Sequence, residues 1–385
     1  MQNKPEIVFT FPACMGGVSS FNYNIINHSR LIKNFHSKVI LLKAIEDKRP
    51  LFFDSFKADE VITFEFSYRE NQYYVQKRLH KLLGNGPGAI VTDNGLTIYA
   101  ARQFNNPKTV FHLIHDFYYV NQAVHMGDLV DISIAHAAFF GDAVFASNPD
   151  LFFNRVFYIP YGVQQVKAIP AKDHTNLNIV FLGRLDESKG VLKLFEIEQG
   201  LKKNDIDVNW SIIGKGPLKE KLNKQWGSAG NVTFFEPDST EDVYKILRRQ
   251  DIFVFPTMFE GTPVSILEAL ANGIVTITND LPGGIRDIIK EGIGYRCEPN
   301  DIAQFIEHII FLDRNREVLK KMQENCYELS VNSYDIEKNS DLYFQKFCQY
   351  EMLKRKEKHQ PVLMSRLDKS KYPNQLVKLI RGIKK

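Results

Sequence analysis

Asp251-Ile-Phe-Val-Phe-Pro-Thr-Met-Phe-Glu-Gly-Thr-Pro-Val-Ser-Ile-Leu-Glu-Ala-Leu-Ala-Asn-Gly273 reads as a buried-type strand, a loop and a short helix in succession. Asp251 to Phe255 carries a continuous apolar run and Gly261-Thr-Pro263 is turn chemistry. Val264 to Asn272 has a helical pattern that Gly273 closes. Strands alternating with helices build a parallel sheet with right-handed crossovers. The stretch also sets Glu260 and Glu268 eight residues apart, at and just inside the carboxyl end of the strand. Open α/β sheets bind ligands there, beyond their strand ends, where loop amides and helix N-termini favour anions. A full helical rise over that spacing is about 12 Å. Two carboxylates so placed suit the hydroxyls at the two ends of an extended ligand, with a diphosphate against backbone N–H groups between them. A nucleotide sugar has that shape. Taken alone, the pair reads as well as a solvated loop charge and a first-turn glutamate complementing the helix dipole.

Outward from this segment the same alternation fills the chain. Expected strands are Glu6–Phe11, Val39–Leu42, Glu60–Phe64, Ala89–Thr92, Lys108–Ile114, Ala143–Ala146 and Val156–Ile159. A second series runs through Leu177–Leu182, Val208–Ile213, Val232–Phe235, Ile252–Phe255, Ile274–Thr278 and Gly294–Cys297. The length of 385 residues calls for two cores. The expected organisation is a first α/β domain over 1–163, an irregular linker over 164–175 holding Pro170, a second α/β domain over 176–345, and a basic tail over 346–385.

Composition fixes the class. With 44% apolar and 24% charged residues the chain is neither disordered nor fibrous. The N-terminal sequence enters a strand without a signal peptide's apolar core, and no apolar stretch reaches spanning length. Cys14, Cys297, Cys326 and Cys348 are scattered, without metal spacing or the density of a disulfide scaffold. A cytoplasmic setting is expected. The net charge of +4 conceals an asymmetry, because residues 351–385 hold eleven Lys or Arg against three Asp or Glu. The tail thus carries +8 and the rest −4. Such an excess reads as a solvated tail or as contact with an anionic membrane. Nucleic acid is not expected, since no reading module accompanies it.

The remaining chemistry-bearing segments are individually weak. Phe181-Leu-Gly-Arg-Leu-Asp-Glu-Ser-Lys-Gly190 places Gly183, Arg184 and Lys189 between a strand and a helix, either as a diphosphate clamp or as ordinary helix-flanking cations. Ile213-Gly-Lys-Gly-Pro217 and Pro282-Gly-Gly284 permit close ligand approach or are simply turns. Neither makes the G-x-G-x-x-G fingerprint, so hydride chemistry has no support. His115 and Asp116 end an apolar strand, where a histidine serves a sugar hydroxyl or only the fold. Asp205-Ile-Asp207 precedes its strand and reads as a solvated turn rather than a metal-holding D-x-D.

In order, Gly16-Gly17, His115-Asp116, Ile159-Pro-Tyr-Gly-Val163, Gly183-Arg184 with Lys189-Gly190, Gly214-Lys-Gly-Pro217, Glu260 to Gly273 and Pro282-Gly-Gly-Ile-Arg-Asp287 resemble the signposts of family 4 glycosyltransferases. The resemblance spans about residues 6 to 345. It implies a GT-B fold, two Rossmann-like domains facing across a cleft, and retaining transfer of a sugar from a nucleotide-diphosphate donor without a metal or other cofactor. It further implies that Glu268 binds the ribose, and that Glu260, Gly261 and Thr262 hold donor sugar and phosphates. Arg184 and Lys189 would clamp the diphosphate, and the Gly17 amide would reach it from the first domain. His115 would touch the donor sugar. Base recognition is expected largely from backbone near Gly214 and Glu236. Asp287 stands where the family usually carries glutamate and Tyr161 where asparagine is common.

For the acceptor, Tyr68, Arg69, Lys77 and Arg78 in a basic aromatic segment suit a lipid-linked glycan at an anionic surface, or an ordinary half-exposed helix. With the amphipathic Arg366–Arg381 segment they suggest a peripheral protein on the inner face of the membrane, serving surface polysaccharide or lipopolysaccharide assembly. The alternatives are a GT-B nucleotide-sugar epimerase and a non-catalytic partner subunit. A full set of Arg184, Lys189, Glu260 and Glu268 argues against the latter.

Overall fold

The computed structural model describes residues 4–14, 16–49, 51, 55–169, 172, 175–227, 230–237, 239–355, 362 and 365–383. The chain divides into two compact units, Met1–Pro160 with Glu337–Lys385, and Tyr161–Ile336.

In the first unit β1 (Glu6–Pro12), β2 (His36–Ala44), β3 (Glu60–Phe66), β4 (Gly88–Thr92), β5 (Thr109–Ile114), β6 (Ile132–Ala135) and β7 (Val156–Tyr158) form a sheet ordered β3-β2-β1-β4-β5-β6-β7. All its pairings are parallel. Between strands run α1 (Gly17–His28), α2 (Gln72–Leu83), α3 (Gly95–Gln103), α4 (Phe117–Met126), α5 (Ala138–Ser147) and α6 (Pro149–Phe152). Central strands β4, β5 and β6 are buried along their whole length, as expected of a parallel sheet covered on both faces.

The second unit repeats the plan. Its strands β8 (Leu177–Leu182), β9 (Val208–Ile213), β10 (Val232–Phe235), β11 (Ile252–Phe255), β12 (Val275–Asn279) and β13 (Gly294–Cys297) are ordered β10-β9-β8-β11-β12-β13. They too pair parallel throughout. The helices are α7 (Lys193–Lys203), α8 (Lys219–Trp226), α9 (Thr240–Leu247), α10 (Val264–Ala271), α11 (Gly284–Ile288), α12 (Ile302–Arg314) and α13 (Arg316–Ser333). Strand order reverses beside β1 in one sheet and beside β8 in the other. Such switch points open a crevice at the strands' carboxyl ends.

Two expectations need correction. Ala143–Ala146 is helical, inside α5, and the strand of that region is Ile132–Ala135. A short apolar run does not distinguish a buried strand from a buried helix, and Asn148-Pro149 terminates either. The second correction concerns the end of the chain. The stretch from Glu337 onward was assigned to the second domain and a separate tail, yet it belongs to the first unit. There α14 (Ile336–Cys348) sets Phe344 and Phe347 against Phe9, at ring separations of 5.9 and 6.0 Å, and Phe347 against Phe111 at 5.1 Å. After α15 (Tyr350–Leu353), α16 (Asn374–Ile383) covers part of the expected amphipathic segment. Pro170 and residues 171, 173 and 174 of the expected linker lie outside the described residues, as do 356–361, 363, 364, 384 and 385 of the expected tail.

Candidate functional site

The second unit's switch point brings together residues far apart in sequence. β8 ends in Gly183-Arg184, and the chain continues through a single turn over Glu187–Lys189. Gly190 then takes a left-handed φ of 66°, where an added Cβ would stand 1.9 Å from the Pro256 carbonyl oxygen. Only glycine fits there. This contact locks the loop after β8 onto the loop after β11, and the Met258 N–H donates to the Ser188 carbonyl at 2.8 Å. Lys189 Nζ consequently lies 2.5 Å from Glu260 Oε1, and the Thr257 hydroxyl donates to the same oxygen at 3.2 Å. The half-buried Glu260 carboxyl is pushed up by burial, against the opposing pull of Lys189.

Arg184 is largely exposed and its guanidinium pairs with Asp186. Asp186 also accepts from the Ser188 hydroxyl at 2.6 Å and the Lys189 N–H at 3.2 Å. Burial pushes the Asp186 carboxyl up, but the Ser188 hydroxyl and Arg184 outweigh it and hold it below its ordinary range. Asp186 is a site-forming residue that the sequence reading passed over. Its signal was available, because an acidic side chain three residues before Lys189 is an N-cap pattern.

Helix α10 begins at Pro263 with no side-chain cap, leaving its first amides open to an anion. The Thr262 hydroxyl is buried and has no hydrogen-bond partner among the described residues. The Pro282-Gly-Gly284 loop closes against this turn, with the Gly284 N–H donating to the Gly261 carbonyl at 3.0 Å. One turn into α10, Glu268 is half-buried by surface area yet enclosed by protein on nearly every side. Burial alone raises its pKa to about 7, and among the described residues no ion pair or hydrogen bond reaches its carboxylate. Ionised groups so placed are costly until donors arrive.

Gly214 and Gly216 are explained by packing. A Cβ on Gly214 would lie 1.9 Å from the Gly183 carbonyl oxygen, and one on Gly216 2.4 Å from that of Leu185. The loops after β8 and β9 therefore lie side by side at the sheet edge. Glu236, after β10, is engaged by Lys219, with Lys215 at 4.0 Å. Asp205 sits at a φ of 56° in the turn after α7, as its reading as a turn requires.

Gly17 and His115 are built into the first unit. Gly17 opens α1, which has no side-chain cap, and a Cβ at either Gly16 or Gly17 would meet nothing. His115 follows β5 and is buried, its Nε2 3.5 Å from Asp93 Oδ2, with Phe21, Tyr119 and His136 rings around it at 5.4, 5.0 and 4.5 Å. Burial raises the Asp93 pKa, and it lowers that of His112 to about 4. Asp93 was also missed, although a carboxylate directly after the apolar Gly88–Thr92 strand marks a strand end facing a crevice. Of the acceptor candidates, Tyr68 and Arg69 are exposed ahead of α2. Lys77 and Arg78 lie on α2 beside a pocket of about 260 Å³, and Arg78 pairs with Glu70 at 3.0 Å. Among the described residues no three His, Cys, Asp or Glu converge as a metal-ligand set, and no helix is long and apolar enough to cross a membrane.

Comparison with known proteins points the same way. The family model of glycosyl transferases group 1 matches residues 163–329. The UDP-Gal:alpha-D-GlcNAc-diphosphoundecaprenol alpha-1,3-galactosyltransferase of Escherichia coli is 29% identical over 203 residues, 49% of this chain and 52% of that protein. The lipopolysaccharide 1,6-galactosyltransferase of Salmonella typhimurium is 27% identical over 199 residues, 50% of this chain and 53% of that protein. The chain thus spans about half the length of these curated relatives. Among solved structures, Anabaena HepE in complex with UDP and glucose superposes with a TM-score of 0.70 at 13% identity, over 89% of this chain and 99% of that one. Sucrose-phosphate synthase from Thermosynechococcus elongatus gives 0.71 at 14% identity, over 90% and 99%. At these identities the likeness is one of fold. Residues 163–329 are thus similar to the glycosyl transferases group 1 family, and the two parallel-sheet units are those of the GT-B fold.

Proposed function

We propose that the chain is a glycosyltransferase moving a sugar from a nucleotide-diphosphate donor to a glycan or lipid-linked acceptor in the assembly of cell-surface polysaccharide or lipopolysaccharide. The observation that carries this reading is Glu268, enclosed at the switch point of the second sheet and without a donor among the described residues. The vicinal hydroxyls of a ribose are donors of the kind it lacks. The open α10 amides and the Thr262 hydroxyl are placed for phosphate oxygens. Arg184 would leave Asp186 for the diphosphate, and Lys189 and Glu260 would share the bridging phosphate and the donor sugar. Gly17 and His115 are candidate ligand-binding residues of the first unit. The two relatives named above, both galactosyltransferases, support donor and acceptor classes of this kind.

We take the transfer to be retaining and independent of a metal. The acceptor oxygen attacks the anomeric carbon from the face the diphosphate leaves, and a leaving phosphate oxygen takes the acceptor's proton. Arg184 and Lys189 stabilise the charge that develops on that oxygen. We take it to act as a peripheral protein on the inner face of the membrane, where a lipid-linked acceptor is.

A thermal-shift screen with UDP-, GDP- and ADP-sugars tests the reading. A ligand that binds only the folded protein raises its melting temperature as binding saturates. One nucleotide series should shift it, and Glu268→Gln should abolish the shift. No shift with any nucleotide sugar overturns the reading.

A further inference from the structure

The C-terminal segment is seated on the first unit, against the start of α2. Asn71 donates its N–H to Asn374 Oδ1 at 2.8 Å and its side-chain amide to the carbonyls of Lys369 and Tyr372 at 3.0 and 2.7 Å. The Gln72 N–H donates to Asp368 Oδ1 at 2.7 Å and the Tyr74 hydroxyl to the Ser370 carbonyl at 2.7 Å. Arg381 closes the seam by donating to the Glu70 carbonyl and, at 2.8 Å, to Asp368. Val377 of α16 is fully buried.

Beside this seam lies the pocket of about 260 Å³, lined by Glu70, Tyr74, Lys77, Arg78, Lys81 and Asn374. Glu70 is already engaged, accepting from the Ser67 N–H, Arg78 and Asn374, each at 3.0 Å. Lys77 and Lys81 are exposed and have no acidic partner among the described residues. One helical turn apart, two like charges repel until an anion lies between them. α16, which reaches the pocket through Asn374, exposes Leu376 and Leu379 together on one face, at 45% and 64%. Unpaired cations beside projecting leucines complement an anionic phospholipid surface, where headgroup and acyl boundary meet.

We propose that α2 and α16 together form a lipid-headgroup site. The phosphate of an anionic membrane phospholipid sits between Lys77 and Lys81, and Leu376 and Leu379 enter the acyl boundary. The site deepens the membrane-surface reading of the function and rests on it. It makes the C-terminal segment part of the surface that holds the protein where a lipid-linked acceptor is.

Co-sedimentation of the full chain with phosphatidylcholine vesicles, with and without phosphatidylglycerol, tests this at low salt. Binding should require phosphatidylglycerol. It should fall about 30-fold in Lys77→Ala/Lys81→Ala, following the loss of two surface charges, and fall also in Leu376→Ser/Leu379→Ser. An unchanged nucleotide-sugar thermal shift in both variants would show them folded and separate this outcome from a failure of the glycosyltransferase reading. The proposal is overturned if wild type ignores phosphatidylglycerol or if both variants bind as wild type does. It is equally overturned if the leucine variant keeps full binding while inorganic phosphate displaces the protein from vesicles, which identifies a site for free anion.

Discussion

Glu268 is the residue on which the site turns, and its ionisation links function to stability. Its folded pKa of about 7 lies above the ordinary 4.5. The folded protein therefore holds this proton more tightly than the unfolded chain. The associated stability is present below about pH 4.5 and is lost as pH rises through 7, which amounts to about 3 kcal/mol by pH 8. Glu268→Gln removes the titration. The ligand-free variant should melt above wild type at pH 8 and level with it at pH 5, while its response to nucleotide sugar disappears. Melting curves at the two pH values measure this, and an equal displacement at both would show that the carboxylate does not titrate as inferred. Glu260, Glu268 and Lys189 are legible in the sequence because each follows a strand within a segment marked by turn residues. Asp186 and Asp93 carry only an N-cap spacing and a strand-end position in the sequence, and their importance comes from the partners that folding brings to them.

At the scale of elements, the candidate donor site is two loops held in register by backbone contact. Gly190 makes that contact, since its φ of 66° and the Pro256 carbonyl 1.9 Å from its would-be Cβ leave no room for a side chain. Gly190→Ala should cost about 1–2 kcal/mol from the backbone conformation alone, and more from the displaced β11 loop. Urea unfolding should show the loss, together with weaker nucleotide-sugar binding as Lys189 parts from Glu260. A variant as stable as wild type would mean that the loops are not locked in this way. Most strands were legible because central parallel strands are continuous apolar runs with turn residues after them. Ala143-Val-Phe-Ala146 is helical while Ile132-Ser-Ile-Ala135 is the strand, because over four residues local pattern alone does not choose between them. The sheet chooses, by pairing β6 between β5 and β7.

For the whole molecule, the division into two α/β units could be read from the repeated alternation, but the return of the chain to its first unit could not. A helix at the end of a sequence has the same periodicity whichever core receives it. Tyr343, Phe344 and Phe347 show which core does, for all three are fully buried in the first unit. Burying each contributes roughly 1.5–3 kcal/mol, so together they rival the roughly 5–15 kcal/mol that separates a folded protein from its unfolded chain. A chain ending at Ile336 should keep the second sheet's sequence intact yet fail to fold its first unit, exposing Phe9 and Phe111 where α14 belongs. A chain ending at Ser365 retains α14 and α15 and should stay folded, losing only the seam with α2. Limited proteolysis and size-exclusion chromatography distinguish the two. Cleavage and aggregation should be confined to the shorter chain, and a soluble, protease-resistant 1–336 would show that the aromatic face of α14 is dispensable to the first core.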